Sequence, residues 1–310
     1  MFKSFKEIIE RTRKTGAVVA VAGGDDEDVL KALLQAKEIE LASPILVGDR
    51  SRILECTNLV GIKDFEIKES LKGEESKVAI SLVSEGKADL LMKGSVPTAS
   101  LLRAVLDKDN GLRSGNLLSH VAVFEVPYIN HFLILTDGGM NIAPTLKEKA
   151  DILLNALEVT RVLGIEMPKV AVLAAVEVIV ENMPATIDAA ILSKMNERGQ
   201  IKGCVIDGPL ALDGALSKEA AEHKGLKSRV AGEADVLLVP NIEAGNILGK
   251  SFTYVAGGAM AGVVIGARKP IVLSSRADSS FSKLASLALS VLLATQPSGV
   301  AHKLLQKGGL

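Results

Sequence analysis

The chain has 310 residues, 36 Lys+Arg against 37 Asp+Glu, a formal net charge of −1 and 48% hydrophobic residues, a balance that excludes an intrinsically disordered chain. Near-neutral charge, 3% aromatic residues and no Trp exclude the basic surface and base-stacking platforms of a general nucleic-acid binder. The length implies one or two domains with large cores, and the bulk reading is a neutral, aliphatic-rich enzyme or small-molecule binder.

The opening MFKSFKEIIERTRKTG is charged throughout and lacks the apolar centre of a signal peptide. Cys56 and Cys204 are far apart, which fits a reducing compartment, so a cytoplasmic protein is expected. No apolar run approaches the ~18 residues of a membrane span, so no membrane partner is expected. The nearest case, Tyr254 to Ala267, is broken by Gly257, Gly258, Gly262 and Gly266 and reads as a buried, close-packed stretch.

In chain order, the rhythm is a short aliphatic strand, a polar or glycine turn, then an amphipathic helix. Ala17 to Ala22 is the first strand; Asp25 or Asp26 then caps a helix that places Leu30, Leu33 and Leu34 on one face. Further strands are expected within residues 44–49, 88–94, 131–139, 169–175, 203–208, 234–241 and 269–275. Runs apolar at every position are buried on both faces, so the fold class is α/β with mainly parallel sheets covered by helices. Thr145 and Glu148 form a capping box ahead of Leu146, Ala150, Leu153 and Leu157, and Gly164 ends that helix. Pro184 fits a first helical turn, with Ile187, Ile191 and Met195 at i, i+4, i+8 and Gly199 as the stop. Turn formers at residues 137–145 suggest a boundary. A short echo, Gly86-Lys87-Ala88-Asp89 against Gly232-Glu233-Ala234-Asp235, precedes two of the strands; it reads as a repeated helix-to-strand connection or as chance.

Ligands of parallel α/β sheets gather at the carboxyl ends of strands, which singles out a small set of polar residues. Lys93-Gly94-Ser95, with Thr98 and Arg103 in the following helix, reads as an anion site or as an ordinary capped helix with a solvated arginine. Ser275 and Arg276 follow the last strand, where a guanidinium fork and a hydroxyl suit phosphate; the alternative is capping by Ser279 or Ser280 beside a surface charge. Gly245-Asn246 reads as a turn after a strand, structural or ligand-facing. His120, His131, His223 and His302 lack metal-ligand spacing, and there is no nucleophile elbow, Walker loop or G-x-G-x-x-G fingerprint. The acids of GGDDED would repel a pyrophosphate.

Seven segments, MKGSVPTASLLRAVL, LSHVAVFEVP, LTDGGMNIAPTLKEKADILLNA, MPATIDAAILSKMNERGQIKG, DGPLALDGALS, AGEADVLLVPNIEAGNILGKS and KPIVLSSRADSS, together resemble the phosphate acetyl/butyryltransferase family, nearer its butyryl branch. The match spans most of residues 85–295; the first ~80 residues add little. The resemblance implies reversible acyl transfer between coenzyme A and inorganic phosphate, with a coenzyme A thioester as substrate and no tightly bound cofactor. It also implies an isocitrate/isopropylmalate-dehydrogenase-like fold: two α/β/α domains around a cleft, divided here as 1–140 with 277–310 and 141–276, in a homodimer or larger homo-oligomer. Carried over by position, the family's Ser-Arg pair falls on Ser275 and Arg276, its helix arginine on Arg103, and Asn246 comes beside the cleft. A mechanism consistent with these residues has phosphate held by Arg276 and Arg103, with help from Lys93 and the Gly94-Ser95 amides. Acetyl-type members have an Asp seven positions after the serine; here that position is Ser282, so either Asp278 takes the base role or no dedicated carboxylate does. Two rivals are a metal- and NAD-dependent decarboxylating dehydrogenase of the same fold, for which Asp207, Asp213 and Asp278 are the tempting ligands, and a non-catalytic coenzyme A or anion binder.

Overall fold

The computed structural model describes residues 1–275 and 277–295, which fall into two compact units. One, the N-terminal unit, comprises residues 5–116 and the returning segment 261–295; the other, the central unit, comprises 1–4 and 117–260.

The N-terminal unit begins α1 (Phe5–Thr12), β1 (Ala17–Ala22), α2 (Glu27–Glu38), β2 (Ala42–Gly48), α3 (Arg50–Val60), β3 (Glu66–Glu69), α4 (Glu75–Ser84), β4 (Leu90–Lys93) and α5 (Thr98–Val105). The central unit follows with β5 (Ser119–Glu125), β6 (Leu133–Thr136), α6 (Leu146–Val162), β7 (Lys169–Leu173), α7 (Pro184–Glu197), β8 (Val205–Leu210), α8 (Leu212–Leu216), α9 (Lys218–His223), β9 (Val236–Leu238) and α10 (Ile242–Lys250), which a π-helical turn over Ser251–Val255 extends. The chain then runs through β10 (Ala259–Ile265), β11 (Ile271–Val272) and α11 (Ser280–Ala294).

Strand order in the N-terminal unit is β3-β2-β1-β4-β11-β10, every neighbouring pair parallel except β10 with β11. In the central unit it is β5-β6-β9-β7-β8, every pair parallel except β5 with β6. The mainly parallel α/β architecture expected from the apolar runs is therefore present in both. The expected crossings at 140/141 and 276/277 differ from the observed changes of unit at 116/117 and 260/261. Strand pairing sets the latter: β6 pairs with β9 and carries the β5–β6 hairpin into the central unit, while β11 joins β4.

The strands form where the sequence is apolar on both faces. Val19, Ala20, Val21 and Ala22 of β1 are wholly inaccessible, and each buried valine contributes about 1.5–3 kcal/mol. Helix α11 packs on α1 and α2 and is buried without interruption from Ser282 to Leu293. Of the stretch expected to be buried, Tyr254 to Ala267, the last five residues of β10 are buried, whereas Tyr254, at 66%, and Val255, at 85%, are exposed. Asp26 caps α2, its carboxylate accepting from the Val29 amide, and both halves of the Thr145–Glu148 capping box are formed.

Helix α7 begins with Pro184 in its first turn and Gly199, at φ 72°, follows its end. Its buried face is Thr186, Ala189, Leu192 and Met195, whereas Ile191 is 39% exposed, so the apolar spacing of Ile187 and Ile191 does not mark the inner face. The small Ala189 lets α7 approach β8 closely: a Cβ at Gly208 would stand 3.1 Å from it.

Candidate active site

In the N-terminal unit β1, β4 and β11 are parallel neighbours, with Ala22 opposite Lys93 and Met92 opposite Val272. Their carboxyl ends therefore open on one edge of the sheet, bringing together Gly23-Gly24-Asp25, Lys93-Gly94-Ser95 and Ser274-Ser275.

The first two exits interlock. Gly94 N–H donates to the Ala22 carbonyl and Ser95 N–H to that of Gly23, both at 2.9 Å, and a Cβ on Gly94 would lie 1.9 Å from the Gly23 oxygen. Only glycine fits there. Both amides are engaged inside the turn and are not presented to a ligand. The Ser95 hydroxyl donates to Asp25 Oδ1, and Arg52 pairs with the other Asp25 oxygen at 2.7 Å. Lys93, half-buried, donates from Nζ to the Gly94 carbonyl at 3.0 Å. Pro97 gives α5 no side-chain cap; Thr98, Ala99 and Ser100 are exposed, and the Ser100 amide donates to the Pro97 carbonyl at 3.1 Å.

Arg103 lies in the last turn of α5, about 8 Å along the helix from Thr98. It is exposed and lines a cavity of about 640 Å³ between α4 and α5 with Ser76, Lys77, Ser81, Ser100 and Asp107. Its surroundings thus hold several polar side chains and a second cation, Lys77, which pairs with Glu74 at 2.8 Å.

At the β11 exit a tight turn is closed from both sides. Ser275 N–H donates to Asp278 Oδ2 at 2.6 Å, and Asp278 N–H returns to the Ser275 carbonyl at 3.2 Å. Ala277 N–H donates to Ser275 Oγ at 3.3 Å, so the hydroxyl is an acceptor within the turn and has no acceptor for its own proton among the described residues. The Arg276 assignment lies outside the described residues. Asp278 braces the turn with one carboxylate oxygen. Ser282 is 7% exposed and serves the helix start: its amide donates to Ser279 Oγ, the N-cap of α11. One residue that the sequence reading did not single out stands beside this turn: Lys283, buried on α11, donates to the Asp278 carbonyl at 2.5 Å. The SSRADSSFSKL wording held the signal, a lysine on the fourth helical residue after a serine cap.

The central unit handles its own strand ends differently. Asp137, 3% exposed after β6, accepts from the amides of Gly139 (2.8 Å), Met140 (3.0 Å), His120 (3.2 Å) and Asn141 (3.3 Å) and from Asn141 Nδ2 (2.6 Å). A carboxylate so fully used is a loop organiser. Asn246 is not in a turn: Asn241 caps α10 by accepting from the Ala244 amide, so Gly245 and Asn246 are helical. From there Asn246 Nδ2 donates to the Gly138 carbonyl at 3.2 Å, and a Cβ on Gly245 would come within 2.6 Å of Gly138 Cα. Beyond β7 and β9 lies a cavity of about 740 Å³, lined chiefly by apolar residues such as Ala175, Met183, Val239 and Leu248. At its wall Lys149, 6% exposed at its side chain, pairs with Asp188 at 2.6 Å.

The remaining candidates have local roles. Asp207 accepts from the Gly208 amide; Asp213 pairs with Lys224, which holds its carboxyl below the ordinary range. Burial pushes the Cys204 thiol up to about 12, and burial with the nearby Asp25 raises that of Cys56. Neither thiol is set up as a nucleophile.

Comparison with known proteins places this geometry. The family model described as phosphate acetyl/butaryl transferase matches residues 53–291, a span that includes every candidate residue named above from Lys93 to Lys283. The chain belongs to the phosphate acetyl/butyryltransferase family. It is 51% identical over 298 residues to the phosphate butyryltransferase of Clostridium acetobutylicum, covering 95% of this chain and 99% of that one. It is 42% identical over 291 residues to the phosphate acetyltransferase of Thermotoga maritima, covering 93% and 99% respectively. Among solved structures, a branched-chain phosphotransacylase from Enterococcus faecalis V583 superposes with a TM-score of 0.80 at 33% identity, covering 91% of this chain and all of that one. Family members so named are acyltransferases, and the chain is one of them.

Proposed function

We propose that this phosphate acyltransferase moves a short acyl group, butyryl before acetyl, between coenzyme A and inorganic phosphate at the β4 and β11 strand exits of the N-terminal unit. The observation that carries this reading is Ser275: an exposed hydroxyl at a parallel strand end, its oxygen turned to a backbone N–H within a turn braced by Asp278. The 51% identity over nearly the whole of a phosphate butyryltransferase supports butyryl as the first substrate to try.

In the proposed reaction a phosphate oxygen attacks the thioester carbonyl, the C–O bond forms as the C–S bond breaks, and the phosphate proton ends on the coenzyme A sulfur. Butyryl-CoA and HPO4²⁻ thus give butyryl phosphate and free thiol. Arg276 is assigned the phosphate by its fork of donors, and Lys93 adds a second positive charge at the same sheet edge. Ser275 donates its proton in a hydrogen bond to the developing oxyanion or departing sulfur. Arg103 and Lys77, in the α4–α5 groove, suit a phosphate of coenzyme A itself. Direct attack in a ternary complex relies on proximity and fixed charge, and the raised cysteine thiols agree with a route lacking an acyl-enzyme.

We further assign the protein to the cytoplasm and to a homo-oligomer. No helix among the described residues is long and apolar enough to cross a membrane. Val178 and Ile179, each about two-thirds exposed, and Ile191 leave apolar surface on the central unit that a second copy would cover.

The test is a two-substrate initial-rate matrix with butyryl-CoA and phosphate, repeated with acetyl- and branched acyl-CoA. Intersecting lines are expected, with Arg276→Ala reducing acyl phosphate formation by about 10²-fold or more. Parallel lines would rule out direct attack, and an Arg276→Ala enzyme at wild-type rate would remove the assigned site.

A further inference from the structure

Lys283 is a cation in an unusual place. Its residue is 2% exposed, and it sits in the first turns of α11, where the helix already presents positive charge. Burying an ammonium normally demands an opposite charge and several acceptors. Among the described residues Lys283 has no carboxylate within 4.0 Å, and its hydrogen-bond partner is the Asp278 main-chain carbonyl, at 2.5 Å. The neighbouring buried side chains on α11 are serines: Ser282, Ser286 and Ser290, each of whose hydroxyls is engaged with its own helix or the cap.

The position of this charge is informative. Asp278 is the residue whose carboxylate holds the Ser275 amide, and whose amide returns to the Ser275 carbonyl. Lys283 therefore grips the far end of the turn that presents Ser275. A hydroxyl or amide would satisfy that carbonyl at lower desolvation cost, so a requirement for the turn's shape alone does not explain a charge. An anion arriving at the turn does, because it would complete the ion pair that the described residues leave unfinished.

We propose that Lys283 is a positioning residue for phosphate: it fixes the Ser275–Asp278 turn through the Asp278 carbonyl, and its buried charge is answered by the phosphate group of the substrate. The inference rests on the reaction proposed above. Lys283 does not touch the reacting atoms; it acts through the turn and through its field.

The experiment compares Lys283→Met, Lys283→Arg and wild type at saturating butyryl-CoA with phosphate varied, then at saturating phosphate with butyryl-CoA varied. Lys283→Met is expected to raise the KM for phosphate by about tenfold while the KM for butyryl-CoA moves less than about twofold, and Lys283→Arg to restore most of the phosphate affinity. Equal changes in both KM values, or a loss of thermal stability with unaltered phosphate KM, would overturn the proposal. If Lys283→Met does not fold, the same two KM values in Lys283→Arg and Lys283→Gln decide: the charged variant must bind phosphate more tightly than the amide. Inactive wild type with butyryl-CoA and phosphate would instead remove the reaction, a result distinct from an active wild type whose Lys283 variants behave alike.

Discussion

The two units build their sheets on one plan and finish them in opposite ways. The order β2-β1-β4-β11-β10 in one matches β8-β7-β9-β6-β5 in the other, each ending in one antiparallel pair. The correspondence reaches single hydrogen bonds. Asp89, ahead of β4, accepts from the Val18 amide and returns its own to the Val18 carbonyl, both at 2.8 Å; Asp235, ahead of β9, does the same with Lys169, again at 2.8 Å. Gly86 and Gly232 precede them at φ 74° and 73°. Strand entries are therefore shared, and the difference lies at the exits. The N-terminal unit ends β4 and β11 in a lysine, a hydroxyl proton with no acceptor among the described residues, and a buried cation. The central unit ends β6 in a carboxylate saturated by five donors, and β7 and β9 in an apolar cavity. Common entries fix the scaffold; divergent exits set where an anion can be received.

The comparison is broken most severely at the exits. Gly94→Ala drives a Cβ to 1.9 Å from the Gly23 oxygen, backbone against backbone, and is expected to cost more than about 3 kcal/mol or prevent folding. In the central unit a similar insult at another exit, Gly138→Ala after β6, meets Gly245 at 2.6 Å and is expected to cost about 1–3 kcal/mol. Chemical denaturation of the two variants compares them directly; a neutral Gly94→Ala contradicts the interlocked exits.

Next in size is the pair at the central cavity. Lys149→Met leaves Asp188 without its buried partner and is expected to cost about 3 kcal/mol, less than for a wholly buried pair because Asp188 is 22% exposed at its side chain. A variant as stable as wild type would show that the pair carries little of the packing there.

The shared entries give a smaller, sharper test. Asp235→Ala is expected to cost about 1 kcal/mol by orphaning the Lys169 amide, and the corresponding change at exposed Asp89 less. Burial raises the Asp235 carboxyl above its ordinary value, so its ionised form is disfavoured in the folded state: its contribution is fullest below the ordinary Asp range and declines as pH rises through the raised value. Asp235→Asn keeps an acceptor without that charge, so its stability relative to wild type should rise from acid to neutral pH. The reverse trend in thermal melts would contradict the assignment.

The smallest effect concerns the thiols. Cys204, with its thiol raised to about 12, is expected to stay unmodified by a disulfide reagent at pH 8 until the chain unfolds, and Cys204→Ala to keep full activity.

Much of this organisation was written in the local sequence. The buried strands announced themselves as unbroken aliphatic runs, the Thr145–Glu148 box as a three-residue spacing, and the G-x-A-D echo as a device that the structure shows to be physical. What stayed hidden depended on partners distant in sequence. The charged segment Glu66–Glu69 forms the edge strand β3 through pairing with β2, and no alternation reveals that. Asn246 looked like a turn because of Gly245, whose absent side chain instead serves close packing on Gly138. Gly94 and Ser95 read as free to meet a phosphate because nothing local says that the carbonyls of Ala22 and Gly23 claim their amides. Lys283 is hidden for the same reason: a lysine in a helix reads as solvated until its burial is seen.

The proposed chemistry turns on the hydroxyl at the β11 exit. Ser275→Ala removes that proton donor while leaving the Ser275 amide to hold Asp278, and kcat for butyryl phosphate formation from saturating butyryl-CoA and phosphate measures its role. A fall of about 10²-fold in kcat, with the fold intact, is the expected result. A kcat equal to wild type would place the chemistry elsewhere.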